Sequence, residues 1–530
     1  MFDLVLRGGT VVDGTRSAPY TADVCIRGNR IAAIVDRFEG ESKETIDARG
    51  KIVAPGFIDI HSHSDACPLV AYEPEAKLYQ GVTLEIVGNC GISIFPATTE
   101  SRAAISEYFF REMELPVGDL DVSDILTMDD YVRRVREHGC SINYGQLVGH
   151  SALRGAVMGF GNRNPTPEEM GRLRSMLARE LERGAFGMSL GLIYPPSAFS
   201  ERDELVELAK VLKEHDALLT VHMRNEGPRI FEAVDEMLDI AERSGVHLQI
   251  SHLKLMGKPQ WGRAQELLDK IGAARAKGVD VTCDQYPYIA TSTSLTALVP
   301  KWAHDGGIEA LEERTRKPTE KLLAETEREM ENRGGPSCVL IASTHGYHPE
   351  WEGKTVEQIA KDLRMSPIDT VMRVLVECHA AVACCYFSIN EADMLRIMRD
   401  MDIAVGSDGY GFSFDRGITS SKPHPRSFGT FPRFLQTVRE RGIMPLEDAV
   451  YKMTALPAKI LSLRDRGTIK VGSIADITVF DYAAIAERST FVDALAKPDG
   501  IECVVVDGAC ALHRGKQTKE RRGRVLLKGE

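Results

Sequence analysis

The chain has 530 residues, which is too long for one simple core and predicts one large catalytic domain with additions, or two to three domains. Its 77 acidic and 65 basic side chains give a formal net charge of −12, which disfavours binding to nucleic acid or to an anionic membrane. The hydrophobic share of 43% and charged share of 27% are those of an ordinary globular protein, with no apolar run near the roughly 20 residues of a bilayer span.

The cysteines and the first residues bear on the cellular compartment. Eleven cysteines, an odd number, are scattered without a disulfide-like spacing, which predicts reduced thiols in a cytosolic protein. Residues 1–14 alternate like a strand and lack the charged leader and long apolar region of a secretory signal. We therefore expect a cytoplasmic protein with a small-molecule substrate and no membrane or nucleic-acid partner.

Short alternating strands are predicted at both ends of the chain. They cover residues 4–12, 24–34 and 52–53 at the front and residues 474–480 and 503–506 at the back. This pattern predicts a small β-sandwich domain that is built from residues 1–55 together with residues 465–530.

Between these ends, over residues 56–464, apolar strand-like runs alternate with amphipathic helices, which predicts a parallel α/β architecture. One helix is expected to start with Ser200 as its cap, and another to end at Gly245. The number of units suits a closed TIM-type (β/α)8 barrel, although counting alone leaves an open doubly wound sheet as the alternative. The charged, strand-poor stretch over about 296–337 predicts an inserted lobe or lid.

Five predicted strands each end in residue types that bind metals or protons. The first carries two histidines two positions apart, so both side chains point to the same face of the strand. The six residues are His61, His63, Cys90, His222, His252 and Asp408. Singly, each has a structural explanation as a core histidine, a small buried thiol or a helix cap. Together they predict one metal site, because the carboxyl ends of barrel strands converge on one mouth.

The mixture of imidazole, thiol and carboxylate ligands indicates zinc. Zinc accepts nitrogen, sulfur and oxygen ligands and often keeps one position for water in catalytic sites. Coordination would hold Cys90 as a thiolate, which distinguishes it from the other ten cysteines.

Longer motifs around these residues resemble the amidohydrolase superfamily over nearly the whole chain. They are PGFIDIHSH at residues 55–63 and GTIKVGSIADI at 467–477, together with the histidines and the aspartate named above. Within that superfamily, six further motifs are similar to the D-aminoacylase, or N-acyl-D-amino-acid deacylase, family. These are GNCG at 88–91, YPP at 194–196, SHLK at 251–254, YPY at 286–288, GSDG at 406–409 and HPR at 424–426.

The resemblance implies that the six ligands form two neighbouring metal sites. Cys90 would take the place of the carboxylated lysine of hydantoinases and dihydroorotases, and with His222 and His252 would hold one tightly bound Zn²⁺. The other three ligands would line a neighbouring site for a second, weaker ion, whose occupancy is open.

The resemblance and zinc chemistry together predict hydrolysis of the amide bond of an N-acyl-D-amino acid. Zinc lowers the pKa of a bound water to about 7. Asp408 would accept its proton as general base and pass it to the departing amine. The resemblance assigns the Tyr194 hydroxyl, with zinc, to the carbonyl oxygen, whereas packing of the turn before Pro195 is the structural explanation for that tyrosine.

The resemblance also names the residues that would bind the substrate. Arg426 would grip the α-carboxylate with its planar guanidinium, helped by Tyr286, Ser292 and Lys254. The alternative for Arg426 is a surface arginine in a proline-rich loop. Residues 409–423 look longer than the family's usual link, so the path that brings this arginine to the site is an open question.

Several properties rest on the resemblance or stay open. Residues 289–295 contain no arginine, unlike members that act on acylated D-glutamate, which favours a neutral or apolar substrate side chain. The preference for the D configuration is implied by the resemblance alone, and the acyl group and oligomeric state stay open.

One alternative function is that of a cyclic amidase such as a hydantoinase or dihydroorotase, which Cys90 argues against. Another is a non-catalytic scaffold, although such proteins usually lose ligands and all six positions are occupied here.

Overall fold

The computed structural model describes residues 1–72, 75–112, 114, 118 and 120–530. Its strands are, in chain order, β1 (Phe2–Val11), β2 (Tyr20–Arg27), β3 (Arg30–Val35), β4 (Ser42–Asp47), β5 (Ile52–Pro55), β6 (Phe57–Asp59), β7 (Val82–Val87), β8 (Asn143–Gly149), β9 (Gly187–Gly191), β10 (Leu218–His222), β11 (His247–Ile250), β12 (Val281–Gln285), β13 (Thr291–Ser294), β14 (Val339–Ser343), β15 (Ala383–Tyr386), β16 (Ile403–Val405), β17 (Ile477–Phe480), β18 (Ile501–Val506), β19 (Ala509–His513), β20 (Lys516–Gln517) and β21 (Val525–Leu526).

The helices are, in chain order, α1 (Arg102–Glu112), α2 (Met128–His138), α3 (His150–Met158), α4 (Pro167–Glu182), α5 (Arg202–Glu214), α6 (Ile230–Ser244), α7 (Ala264–Ala276), α8 (Gly307–Arg316), α9 (Glu320–Asn332), α10 (Val356–Leu363), α11 (Pro367–Glu377), α12 (Glu391–Met398), α13 (Arg426–Arg441), α14 (Leu446–Met453) and α15 (Ala455–Ile460). Across the described ranges, none of these helices combines the length and the apolar character that crossing a bilayer requires.

A nearly closed parallel barrel forms the centre of the molecule. Its strands follow the order β6, β7, β8, β9, β10, β11, β12 and β16 within one sheet, and each pairs in parallel with the next. Beyond the strand ends, the Asp408 amide donates to the His61 carbonyl at 2.7 Å and the His63 amide donates to the Gly409 carbonyl at 2.9 Å, which links the last strand to the first. The predicted (β/α)8 fold is therefore confirmed and the open sheet is excluded.

The barrel strands are apolar because both of their faces are covered. Every residue of β7, β8, β9 and β10 is buried, as expected for parallel strands with helices outside. Gly245 ends α6 in the left-handed conformation with φ 70°, as predicted. The prediction that Ser200 caps a helix is wrong. Helix α5 begins at Arg202 without a side-chain cap, because the Ser200 hydroxyl donates to the Ser197 carbonyl of the preceding turn.

A second sheet joins the two ends of the chain. Its order is β20, β19, β18, β17, β5, β1, β2 and β3, with β4 added to β1, and the antiparallel pair of β17 with β5 connects back to front. The strand predicted over 24–34 is instead two strands, because Gly28 and Asn29 form a two-residue turn between β2 and β3. This sheet has an apolar core of its own that includes Leu6, Val24 and Ile477.

A lobe stands between β12 and β16. Its three-stranded sheet has the order β13, β15, β14, and helices α8 to α11 pack around it. The stretch 296–337 lies inside this lobe, whose outer strands begin before it and end after it. Residues 291–294 and 297–301 of the lobe line the cavity at the carboxyl end of the barrel, so the lobe shapes that cavity.

Candidate active site

Four buried ligand-type side chains meet at the carboxyl end of the barrel. Cys90 Sγ lies 3.4 Å from His61 Nε2 and 3.7 Å from His252 Nε2. His61 Nε2 lies 3.3 Å from Asp408 Oδ1, and the ligand atoms of all four residues lie within 4.8 Å of one another. A tetrahedron with bonds of about 2.0–2.3 Å has edges of about 3.3–3.8 Å, so the first three distances are those of atoms that can share metal ions.

The other two predicted ligands flank this group on opposite sides. His222 Nδ1 lies 2.9 Å from His252 Nε2, and His63 Nε2 lies 3.0 Å from Asp408 Oδ1. The structure thus places all six predicted residues in one cluster, with His222 beside His252 and His63 beside Asp408.

The backbone at three of these residues lies in the left-handed region. Cys90 has φ 53°, His252 has φ 39° and Asp408 has φ 53°, each just after a barrel strand. Residues other than glycine adopt such angles at a cost of about 1–3 kcal/mol, which the surrounding structure must offset. Gly88 and Gly91, with φ 80° and 78°, complete the sharp turn that carries the thiol of Cys90.

Charges within the cluster favour the protonation states that bind a metal. Burial opposes ionisation of the Cys90 thiol, but the charge on His61 and hydrogen bonds from three histidines outweigh it and hold the pKa of Cys90 well below its ordinary value. Burial also opposes ionisation of Asp408, but Arg426, His252 and His61 hold the pKa of that carboxyl well below its ordinary value. A thiolate and a carboxylate are the forms that ligate cations.

Glu226 lies behind two of the histidines. Its carboxylate oxygens lie 3.0 Å from His252 Nδ1 and 3.4 Å from His222 Nε2, the ring nitrogens opposite those that approach each other. Lys254 Nζ donates to Glu226 Oε1 at 2.6 Å and lies 2.8 Å from His252 Nδ1. Carboxylates in this position fix the orientation of metal-binding imidazoles. Lys254, predicted to bind substrate, therefore lies in the cavity wall with its ammonium group held by Glu226.

Asp284 supports His61 in the same way. Its Oδ1 lies 3.2 Å from His61 Nδ1 and accepts the His252 amide at 2.8 Å, while Gln249 donates to its Oδ2 at 2.9 Å. Neither Asp284 nor Glu226 is among the residues predicted from the sequence. Asp284 follows the predicted run 279–283 and so obeys the same strand-end rule as the ligands, whereas no local pattern marks Glu226.

A cavity of about 490 Å³ opens above the cluster. His61 lies beneath it, fully buried. The other predicted site residues line it, and these are His63, Cys90, Tyr194, His222, His252, Lys254, Tyr286, Ser292, Asp408 and Arg426. A space of this size with convergent polar groups is typical of a small-molecule site.

Arg426 is a cavity residue, and only 3% of it is exposed. Its Nη1 donates to Asp408 Oδ2 at 2.6 Å, its Nη2 donates to the Ser292 carbonyl at 3.3 Å, and the guanidinium lies 5.2 Å from the Tyr286 ring centre. Among the described residues, no partner binds the buried Tyr286 hydroxyl. The Ser292 hydroxyl donates to Glu114 at 2.8 Å. The long loop before Arg426 thus brings the guanidinium beside the cluster.

Tyr194 faces the same space. Its hydroxyl lies 2.7 Å from Thr293 Oγ1, and its ring centre lies 5.2 Å from that of His222. Burial and the nearby Cys90 charge raise the pKa of Tyr194 well above its ordinary value. The phenol therefore keeps its proton and can donate a hydrogen bond into the cavity.

Comparison with known proteins places the chain in a family. Residues 44–511 match the model described as the amidohydrolase family. The chain belongs to this family. Two curated amidohydrolase relatives come from Alcaligenes xylosoxydans xylosoxydans. Its D-aminoacylase is 34% identical over 99% of this chain and 98% of the relative, and its N-acyl-D-glutamate deacylase is 37% identical over 99% and 96%.

Solved structures agree with this assignment within the amidohydrolases. The N-acyl-D-glutamate deacylase of Bordetella bronchiseptica, in complex with zinc and a phosphonate mimic of the tetrahedral intermediate, has a TM-score of 0.83 with 33% identity and full coverage of both chains. A crystal structure of D-aminoacylase has a TM-score of 0.83 with 34% identity, covering 99% of this chain and all of the other. The chain therefore belongs to the D-aminoacylase group of amidohydrolases, as its motifs indicate. Hydantoinases, with TM-scores of 0.55–0.56 and 16–18% identity, share its fold.

Proposed function

We propose that this amidohydrolase uses zinc to hydrolyse the amide bond of N-acyl-D-amino acids, which releases a carboxylate and a free D-amino acid. One observation carries the proposal. The cavity holds a metal-type cluster and a buried guanidinium side by side, with Arg426 only 2.6 Å from Asp408. An N-acyl amino acid has its carboxylate on the carbon next to the amide nitrogen. Its amide bond would therefore lie at the metal-type cluster while its carboxylate lies at the Arg426 guanidinium.

As the resemblance implies, we place one tightly held Zn²⁺ on Cys90, His222 and His252, and both histidines form hydrogen bonds to the Cys90 thiol. His61, His63 and Asp408 would line a second, weaker position. When bound, zinc would polarise the amide carbonyl and acidify a water molecule. The zinc in the structure of one relative, and the soft thiolate among nitrogen and oxygen ligands, favour this metal.

The proton transfers fall to Asp408. The low pKa of its carboxyl keeps it ionised at neutral pH, so it can take a proton from the attacking water and deliver it to the departing nitrogen. The protonated phenol of Tyr194 would donate to the carbonyl oxygen as negative charge develops there.

The amino-acid end of the substrate would lie at Arg426, on the opposite side of the amide bond from the acyl group. The Arg426 guanidinium suits a two-point hydrogen bond with the α-carboxylate, and the free hydroxyl of Tyr286 supports the same contact. Ser292 and Lys254 line this part of the cavity. The names of the relatives support the D configuration, and the lack of arginine over 289–295 favours a neutral or apolar side chain.

The test is amine release from paired N-acetyl-D- and N-acetyl-L-amino acids, with apolar and acidic side chains, by zinc-loaded and chelator-treated protein. We expect zinc-dependent release from the D series and the highest rate with an apolar side chain. Ring opening of hydantoins to N-carbamoyl amino acids, with no amine release from either acyl series, would overturn the proposal in favour of a cyclic amidase.

A further inference from the structure

A second cavity lies beside the catalytic one, between helix α1 and the lobe. Its volume is about 520 Å³, and much of its wall is apolar. The apolar wall includes Tyr108, Phe160, Ile193, Val299, Ile308 and Leu311. The rings of Tyr108 and Phe160 lie 5.3 Å apart and form one aromatic side of the space. A cavity of this size with aromatic and aliphatic side chains in its wall is typical of a ligand site.

The two cavities share part of their walls. Ile193, Tyr194, Ala297 and Val299 line both of them. The two cavities therefore adjoin at these residues, where an extended acyl group would pass from one to the other.

The position of the second cavity indicates which end of a substrate enters it. Among the described residues, it is not lined by Arg426, Tyr286, Ser292 or Lys254, the side chains at the amino-acid end. Tyr194, which would face the carbonyl oxygen, does line it. The second cavity therefore begins on the carbonyl side of the amide bond, where the acyl chain is attached.

Three charged residues, Arg111, Glu112 and Lys301, also line both cavities. The Arg111 guanidinium donates to the His379 carbonyl and to Glu107, each at 3.0 Å, so its charge is partnered. Burial raises the pKa of Glu112 to about 7, so this carboxyl is largely uncharged below that pH. Lys301 is exposed to solvent, and its ammonium group lies over the Phe199 ring, 5.3 Å from the ring centre. The charges of Arg111 and Lys301 are thus partnered or exposed, which is compatible with a hydrocarbon chain passing between the cavities.

We propose that the second cavity binds the acyl chain of the substrate, and that this amidohydrolase prefers extended apolar acyl groups, such as medium-chain or arylalkanoyl groups, over acetyl. The inference rests on the proposed function and names its substrate class. Tyr194 lies at the entrance from the catalytic cavity, and the rings of Tyr108 and Phe160 would pack against the acyl chain of the substrate.

The first experiment is a series of N-acyl-D-alanines from acetyl to octanoyl, compared by kcat/KM with the zinc-loaded enzyme. Burial of each added methylene is expected to raise kcat/KM about fourfold until the cavity is filled. A flat or falling series would overturn the inference. Hydrolysis of the N-acetyl-D substrate in that case would leave the proposed function standing, whereas no hydrolysis of any D substrate would remove both.

Filling the second cavity tests the location. Gly161 and Ala104 line this cavity and not the catalytic one, and a side chain at Gly161 would meet no atom within 4 Å of its Cβ. Gly161→Trp and Ala104→Trp should each lower kcat/KM for the octanoyl substrate by about tenfold or more and leave the acetyl substrate within about twofold. The matched controls are Gly171→Trp, at an exposed glycine of α4 that is equally open, and Ala103→Trp, at an exposed neighbour in α1.

A second series separates the acyl chain from the amino-acid side chain. N-acetyl-D-amino acids from alanine to norleucine keep the acyl group short and lengthen the side chain. Both filling variants are expected to leave this series unchanged. If they impaired the longer side chains instead of the longer acyl chains, the cavity would bind the side chain and the inference would be wrong.

Discussion

Asp408 is held in place by its burial, its backbone conformation and contacts with three side chains. It is 6% exposed, its backbone is left-handed, and its carboxylate lies near His61, His63 and Arg426. A residue held so firmly can exchange protons without moving, which is what a general base shared by attack and departure needs.

Replacement of Asp408 by asparagine separates its proton chemistry from its packing. Asp408→Asn keeps the shape but cannot accept a proton, so kcat should fall by about 10²–10⁴-fold. Zinc bound to Cys90, His222 and His252 should remain, and metal analysis of the purified variant checks this. Unchanged turnover would show that another group moves the proton.

Glu226 is the residue whose effect should appear in metal affinity. Because its carboxylate contacts the outer nitrogens of His222 and His252, Glu226→Gln should weaken zinc binding by about 10–100-fold. Excess zinc should restore much of the activity. Glu232→Gln, at an exposed position of α6, is the control and should bind zinc like the wild type. Equal zinc affinity in both variants would show that Glu226 does not position these ligands.

At the scale of elements, the backbone of Gly191 at the end of β9 packs directly against the backbone of the turn that carries Cys90. A Cβ atom on Gly191 would lie 1.9 Å from the Cys90 carbonyl oxygen. Gly191→Ala must therefore push the strand away from the turn that carries the thiol. We expect loss of bound zinc and a lower thermal midpoint.

The matched control for this backbone contact is Gly272→Ala. Gly272 lies inside α7, and a methyl group there would meet no atom within 4 Å. Replacing a helical glycine with alanine usually stabilises by roughly 0.5–1 kcal/mol, so this variant should have a higher midpoint and a normal zinc content. A normal zinc content in Gly191→Ala would show that the contact does not hold the turn.

The elements also show how far the sequence determines the site. Ligands such as Cys90 and His252 were predictable because each ends an apolar run, and parallel strands end at one mouth. Glu226 was not predictable, because only the three-dimensional approach of two strand ends brings it behind two histidines. The extent of the lobe was hidden for the same reason, since β13 pairs with β15 about ninety residues further along the chain. The turn at Gly28 and Asn29, by contrast, was visible in the sequence and overlooked.

At the scale of the whole molecule, the ligand cluster ties distant segments together. His61 follows β6, Cys90 follows β7, His252 follows β11 and Asp408 follows β16, so an ion on this cluster would join strands from opposite sides of the barrel. The barrel is completed between β16 and β6 beyond the strand ends, at the two hydrogen bonds beside His61 and Asp408. Metal binding and barrel stability should therefore be linked.

Zinc should raise the thermal midpoint of the metal-free protein. An ion that binds only the folded state stabilises it by about 4 kcal/mol when its free concentration is 1,000 times the dissociation constant. Differential scanning calorimetry of chelator-treated protein, repeated with increasing zinc, should show a midpoint that rises with the logarithm of the free zinc concentration. Cys90→Ala should fold but show a much smaller rise, because it lacks the thiolate. Equal rises in the two proteins would mean that zinc stabilises the fold from some other position.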